Sequence, residues 1–117
     1  MPHMLAICLT AACAASHAQG YPAKPIRLIV PTAPGGGTDI SARLIAPKLS
    51  ELLGQQVIVE NRAGGNTTVG NDYVAKSPPD GYTLLMGISS IAINPHTHSK
   101  MPYDTVKDFA PISQVVI

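Results

Sequence analysis

The feature that most constrains this chain is a short apolar run that ends at a cluster of glycines. Residues 26–30 are apolar except for Arg27, and a proline stands on each side of them. A run of this length between such boundaries is typical of a buried strand. The Pro34-Gly35-Gly36-Gly37 segment that follows cannot continue regular structure. The pattern predicts a buried strand that leads into a loop with little side-chain bulk.

A helical pattern occupies the next stretch and is expected to end at Gly54. Thr38 or Asp39 is expected to cap its first turn, because short polar side chains accept bonds from the free N–H groups there. Pro47 lies inside the pattern, so a kink or a break is expected at that residue. The apolar positions with helical spacing, which are expected to face the core, are Ile40, Leu44, Ile45, Leu49, Leu52 and Leu53.

The rest of the chain continues this alternation. The remaining predicted elements are a strand at 56–60, a helix at 69–76, a strand at 82–88, a polar loop opened by Ser89-Ser90, a mostly irregular segment at 95–107 and a strand at 111–117. Strands that alternate with helices imply an α/β fold with a mostly parallel sheet flanked by helices. In such a sheet, ligands bind at the carboxyl ends of the strands.

The first eighteen residues have the pattern of a secretory signal peptide rather than of a folded element. Residues 1–18 contain no Asp, Glu, Lys or Arg, and Ser16 and Ala18 supply small residues before a cleavage at Gln19. The alternative is a buried N-terminal helix. Both cysteines, Cys8 and Cys13, lie in this segment, so a mature chain starting at residue 19 is expected to have no disulfide, reactive thiolate or cysteine-bound metal.

The net charge and the reactive residue types argue against several classes of function. The formal net charge is +1 and only 13% of residues are charged, which excludes an electrostatic nucleic-acid binder. Neither Ser89 nor Ser90 sits in the motif of a nucleophilic serine. His96 and His98 have no third ligand close in the sequence, so no metal site is predicted. We therefore predict no catalytic residue, no metal and no cofactor.

The glycine-rich segment at residues 32–39 favours one of two interpretations. It is either an anion site, formed by free N–H groups before a helix, or a sharp turn without a ligand. It lacks the lysine of a P-loop and the spacing of a dinucleotide fingerprint. Asp39 would repel an anion, and it fits a cap, a brace or a contact with a ligand amino group. Arg27 and Arg43 are expected to be solvated or locally paired.

Several blocks in a fixed order carry a family resemblance. They are residues 21–27 (YPAKPIR), 30–39 (VPTAPGGGTD), 59–62 (VENR), 80–85 (DGYTLL), 93–95 (INP), and 103–104 (YD) with 107–111 (KDFAP). The order resembles the Bug-type substrate-binding proteins of tripartite tricarboxylate transporters. The chain departs from the family in its second glycine-rich loop, where Ala63 replaces a proline and Asn66 and Thr67 stand where glycine is common.

The resemblance implies a type II periplasmic-binding-protein-like lobe. It implies a signal peptide at residues 1–18, a partial first lobe at residues 19–117, and a second lobe that is absent from this length of chain. The implied function is a non-enzymatic periplasmic receptor for a small organic carboxylate, with a membrane transporter component as a partner and no nucleic acid. The residues that map to ligand contacts are Pro34, Gly35, Gly36, Gly37, Thr38, Asp39, Asn66, Thr67, Thr68, Ser89 and Ser90.

Two alternatives to this function stay open. One is a truncated, non-functional remnant of such a receptor, because a one-lobed site leaves a ligand half-solvated. The other is a phosphate- or nucleotide-using α/β enzyme built on the first glycine-rich loop.

Overall fold

The computed structural model describes residues 20–115, so the predicted signal peptide lies outside the described residues. Within them the chain order is β1 (Ile26–Val30), α1 (Gly37–Leu53), β2 (Val57–Asn61), α2 (Thr68–Ala75), β3 (Thr83–Leu85) and α3 (Ser90–Thr97). The alternation confirms the α/β prediction through β3. The bounds of β1 match the predicted strand, and those of β2 and α2 differ from the predicted bounds by one residue.

The described strands form one parallel sheet in the order β2-β1-β3. Leu28 of β1 pairs with Val59 of β2 on one side and with Leu84 of β3 on the other. Parallel neighbours need a crossover connection, which α1 and α2 supply. All three strands consequently end at the same edge of the sheet.

The core lies on both faces of β1, the central strand. On one face Leu28 and Val30 pack with Ala42 and Ala46 of α1, whose small side chains allow the helix to approach the sheet. Ile29 is fully buried and points to the opposite face, because side chains alternate along a strand. Arg27 shares that opposite face and contacts α2, so the two crossover helices cover the two faces of the sheet.

Helix α1 is continuous, so the predicted break at Pro47 is wrong. Proline removes one N–H donor and frees the carbonyl four residues earlier, here that of Arg43. Pro47 and Arg43 both lie on the exposed side of the helix, where water can hydrogen-bond that carbonyl. Gly54 ends the helix as predicted, with φ of 70° and its N–H bonded to the Ser50 carbonyl at 3.0 Å.

The start of α1 and the buried face of the helix differ from the prediction. Gly36 is the N-cap, and Asp39 is the third helical residue. The predicted stripe is only partly buried: Ile40, Leu44 and Leu52 are exposed. The residues that face the core are Ala42, Ile45, Ala46, Leu49 and Leu53. The prediction relied on large apolar side chains and gave little weight to alanine. It therefore assigned the buried face of α1 to the wrong side of Ala42 and Ala46.

The segment after β3 differs most from the prediction. β3 itself is shorter than residues 82–88, and Ser90 opens α3, where loop was expected. Pro95 lies inside α3 and leaves the Ile91 carbonyl without a helical partner, and the Thr105 hydroxyl donates to that carbonyl at 2.8 Å. Residues 111–115 form no strand and are exposed, while residues 116–117 lie outside the described residues. In the described part of the chain, no helix is long and apolar enough to cross a bilayer.

Candidate functional site

Three loops meet at the edge where the strands end. We name them the first loop (residues 31–36, after β1), the second loop (residues 62–67, after β2) and the third loop (residues 86–89, after β3). The Arg62 N–H donates to the Val30 carbonyl at 2.8 Å, and the Met86 N–H donates to the Ile29 carbonyl at 2.8 Å. These bonds extend the sheet pairing by one residue on each side of β1. They fix the starts of the second and third loops beside the first.

The first loop leads into α1 with free amide groups. Gly35 adopts φ of +87°, a left-handed conformation that glycine tolerates best. Its N–H donates to Asp39, whereas the N–H groups of Gly36, Gly37 and Thr38 have no acceptor among residues 20–115. These donors lie at the start of a 17-residue helix. The helix dipole and the free donors together favour an anion at this position.

Asp39 connects the first loop to the end of β2. Its side chain is buried, and it accepts bonds from the Gly35 N–H at 2.9 Å, from Arg43 Nε at 3.0 Å and from Asn61 Nδ2 at 3.0 Å. The Gly35 N–H and the Arg43 guanidinium hold the pKa of the Asp39 carboxyl at about 2, against the opposing effect of burial. Asn61 also donates to the Thr32 carbonyl at 3.1 Å. Asp39 therefore has the contacts of a brace, and Arg43 is locally paired.

The second loop contains a run of residues in the left-handed region. Gly65, Asn66 and Thr67 have φ values of +55°, +50° and +73°. A β-branched residue rarely adopts such a conformation, which costs about 1–3 kcal/mol. The Thr67 hydroxyl lies 2.6 Å from Ser90 Oγ and accepts a bond from Asn71 Nδ2 at 3.2 Å. These buried bonds hold Thr67 in its strained conformation and join the second loop to the start of α3.

Two buried amides that were not predicted from the sequence support this junction. Asn94 is fully buried; its Nδ2 donates to the Asn66 carbonyl at 2.8 Å and its Oδ1 accepts from Asn66 Nδ2 at 2.9 Å. Asn71 is 1% exposed and donates to the Tyr103 hydroxyl at 3.0 Å. The sequence contains one signal for them, which is an asparagine within each of the two short helices. An asparagine that such a helix buries usually makes hydrogen bonds to other parts of the fold.

The structure brings the predicted site residues to one edge but divides them by exposure. Pro34, Gly35, Gly36, Gly37, Asn66 and Ser89 are exposed, whereas Thr38 and Thr68 are half-buried. Asp39, Thr67 and Ser90 are buried, and their side-chain oxygens bond to other protein groups. The exposed residues at this edge are therefore accessible to solvent, and the three buried residues hold the loops in place.

Arg27 of β1 and Arg62 of the second loop are both paired with Glu60. Arg27 Nη2 lies 2.5 Å from Glu60 Oε2, and Arg62 Nη2 lies 2.7 Å from Glu60 Oε1. Both guanidinium groups also pack on the ring of Tyr73, and Arg27 donates to its hydroxyl. The Arg27 bond holds the pKa of Glu60 below its usual value. Arg27 is thus locally paired, as expected.

Across residues 20–115, no three His, Cys, Asp or Glu side chains cluster closely enough to hold a metal ion. His98 caps the end of α3, and its Nδ1 lies 3.2 Å from the Asn94 carbonyl oxygen. The strand ends therefore offer backbone hydrogen-bond donors, and the arginines near them are paired with carboxylates.

The family model and the curated relatives that match this chain point to the same receptor family. The family model described as tripartite tricarboxylate transporter family receptor (TctC) matches residues 41–117. Protein BugT of Bordetella pertussis is 47% identical over 100 residues, which are 84% of this chain and 31% of BugT. The chain spans about a third of the length of the curated relatives it matches.

Solved structures match at the level of both sequence and fold. A structure described as a periplasmic transporter is 47% identical with a TM-score of 0.71, covering 74% of this chain and 30% of its own. MatC from Rhodopseudomonas palustris with bound malate is 34% identical with a TM-score of 0.70, covering 81% and 33%. R. palustris Rpa4515 with adipate is 40% identical with a TM-score of 0.66, covering 74% and 29%. The fold is thus that of one part of a periplasmic binding protein.

Proposed function

The chain belongs to the tripartite tricarboxylate transporter receptor family, and from that premise we propose that it acts in the capture of a small organic carboxylate outside the cytoplasm. Its role is binding without chemistry, and the bound solute is passed to a membrane component of a tripartite tricarboxylate-type uptake system. Export through a cleaved signal peptide at residues 1–18 belongs to the same proposal.

The observation that carries the proposal is the meeting of three donor-bearing loops at one sheet edge. The free N–H groups of Gly36, Gly37 and Thr38 suit a carboxylate group, because each can donate to one of its oxygens. The exposed backbone N–H of Asn66 and the exposed hydroxyl of Ser89 add donors from the second and third loops. The malate and adipate in the solved relatives are both dicarboxylates, which supports the substrate class.

The paired arginines also support a site built from neutral donors. Arg43 is bonded to Asp39, and Arg62 to Glu60, so the charge of each guanidinium is already balanced by a carboxylate. Backbone donors at a helix start contribute about 0.3–1 kcal/mol at an exposed site and up to ~2 kcal/mol when partly buried. Binding by these loops is therefore expected to be weak and to require negative charge on the ligand.

The test is a nuclear magnetic resonance titration of the 117-residue chain with malate and with adipate. We expect saturable amide shifts at Gly36, Thr38, Asn66 and Ser89. The turn at Gly81, which precedes β3 at the opposite edge of the sheet, is the internal control and is expected not to shift. Adipamide, which keeps the carbon chain of adipate without its charges, is the matched ligand control. Absence of shifts with both acids, or equal shifts with adipamide, would contradict the proposal.

A further inference from the structure

The buried carboxylate of Asp39 lies next to the free amides to which we assign the ligand. It is 3% exposed, and both of its oxygens are occupied: Oδ1 by Arg43 and Asn61, Oδ2 by Gly35 and Arg43. A carboxylate offers about four acceptor positions on its two oxygens. The observed bonds come from three N–H groups, because the single Arg43 Nε–H is shared between the two oxygens. Both oxygens are thus bonded within the protein, and the burial of Asp39 keeps it from a ligand.

The bonds of Asp39 span three parts of the site. Gly35 belongs to the first loop, Arg43 to the second turn of α1, and Asn61 to the end of β2. Arg43 Nη2 also donates to Asn61 Oδ1 at 3.0 Å, so the three side chains form a closed ring. Because Asn61 holds the Thr32 carbonyl, the ring fixes the first loop at both of its ends.

The negative charge of Asp39 would oppose the binding of an anion, and Arg43 neutralises that charge. A lone carboxylate next to the Gly36–Thr38 amides would repel a carboxylate ligand and cancel part of the helix dipole. The Arg43 guanidinium contacts both Asp39 oxygens at 3.0 Å and is about half exposed, with its side chain at 54%. The pair is therefore close to neutral as seen from the loop.

Resting on the proposed function, we propose that Asp39 is a positioning residue and that Arg43 is its charge partner, neither of them contacting the ligand. Asp39 holds the Gly35 N–H, so that the next three amides are presented to the ligand in a fixed arrangement. Arg43 neutralises Asp39, so that an anion can bind beside it. The site thus separates the side chains that fix its geometry from the backbone groups that bind.

Two substitutions separate these roles. Asp39→Asn keeps the size of the side chain and removes the charge that holds Gly35 and Arg43. Arg43→Gln leaves the Gly35 and Asn61 bonds in place and exposes the Asp39 charge. Lys48→Gln is the matched control, because it removes a cation from an exposed pair with Glu51 on the same helix.

The first measurement is amide hydrogen exchange in the 117-residue chain without ligand. We expect exchange at Gly35 to be at least about tenfold faster in Asp39→Asn, and unchanged in Arg43→Gln and Lys48→Gln. Unchanged Gly35 exchange in Asp39→Asn would overturn the positioning role, whether or not the chain binds a carboxylate. If Asp39→Asn does not fold, the Arg43→Gln measurement below still decides the charge role.

The second measurement is the affinity for malate and adipate at low and high salt. For Asp39→Asn we expect affinity at high salt to be weaker by about tenfold, corresponding to one charge-assisted hydrogen bond, because salt there screens the Arg43 charge that the substitution uncovers. For Arg43→Gln we expect a loss that shrinks as salt screens the uncovered charge. An Arg43→Gln affinity equal to that of Lys48→Gln would overturn the charge role. Failure of the unsubstituted chain to bind either acid would instead contradict the proposed function.

Discussion

Replacing Gly70 by alanine tests how closely α2 must approach the ends of the strands. Gly70 is buried and is the third residue of α2. A Cβ atom there would lie 2.7 Å from Pro31 Cβ, 2.8 Å from Pro31 Cα and 2.8 Å from the Arg62 carbonyl oxygen. Pro31 and Arg62 follow directly after β1 and β2, and two of the three atoms belong to the backbone. The clash is relieved only if α2 moves away from the first and second loops.

Two opposing effects set the size of the change. Overpacking in a well-filled region costs about 1–3 kcal/mol, and contacts this short with backbone atoms belong at the upper end of that range. Alanine in a helix is about 1 kcal/mol more favourable than glycine. The free energy of unfolding of Gly70→Ala is therefore expected to fall by about 2 kcal/mol. For a domain of this size that corresponds to a Tm lower by roughly 10 °C.

Urea unfolding followed by circular dichroism measures this change, with Gly37→Ala as the matched control. Gly37 is the first residue of α1, and a Cβ added there meets nothing within 4 Å. The control is expected to be neutral or slightly stabilised. If Gly70→Ala were as stable as Gly37→Ala, the close approach of α2 to the strand ends would not be a real constraint, and the reasoning would be wrong.

Three further predictions concern the polar groups around the loops. Ser90→Ala removes a partner of the buried Thr67 hydroxyl and is expected to lower the free energy of unfolding by about 1–2 kcal/mol in urea titrations. Because the pKa of Asp39 falls from 3.8 to about 2 on folding, its contribution to stability is present above pH 4 and is lost as pH falls from about 4 to 2. Asp39→Asn should flatten the stability profile in that range, and an unchanged profile would contradict the assignment. A double-mutant cycle on Arg27 and Glu60, both partly exposed, should give a coupling of about 1 kcal/mol or less that weakens in high salt. A coupling insensitive to salt would contradict the ion-pair assignment.

The elements that were predicted correctly are those with local signals. Prolines on both sides of residues 26–30 set the bounds of β1, and Gly54 marks the end of α1 because its left-handed conformation is costly for other residues. The parallel sheet followed from the alternation of strands and helices. Each of these signals is contained within a few residues, so no knowledge of distant contacts was needed.

The errors after β3 arose where a distant residue determines the outcome. Pro95 would end a helix by local rules, but the Thr105 hydroxyl, ten residues further on, bonds to the carbonyl that it frees. Asn94 was read only as part of a family block, because its partner Asn66 lies 28 residues away. Residues 111–115 form no strand, although their apolar pattern predicted one. Local patterns contain no information on such partners.

The burial of each residue at the strand ends indicates whether its substitution should change the stability of the fold or the affinity for a ligand. Asp39, Thr67 and Ser90 use their oxygens to hold the loops, so changing any of them alters stability and loop geometry together. The exposed amides of Gly36 and Gly37 donate from the backbone, and no side-chain substitution removes them directly. A backbone N–H donates to any carboxylate oxygen regardless of the rest of the molecule. The first loop of the proposed site therefore selects for negative charge, and discrimination between ligands such as malate and adipate must come from groups that contact the remainder of the ligand.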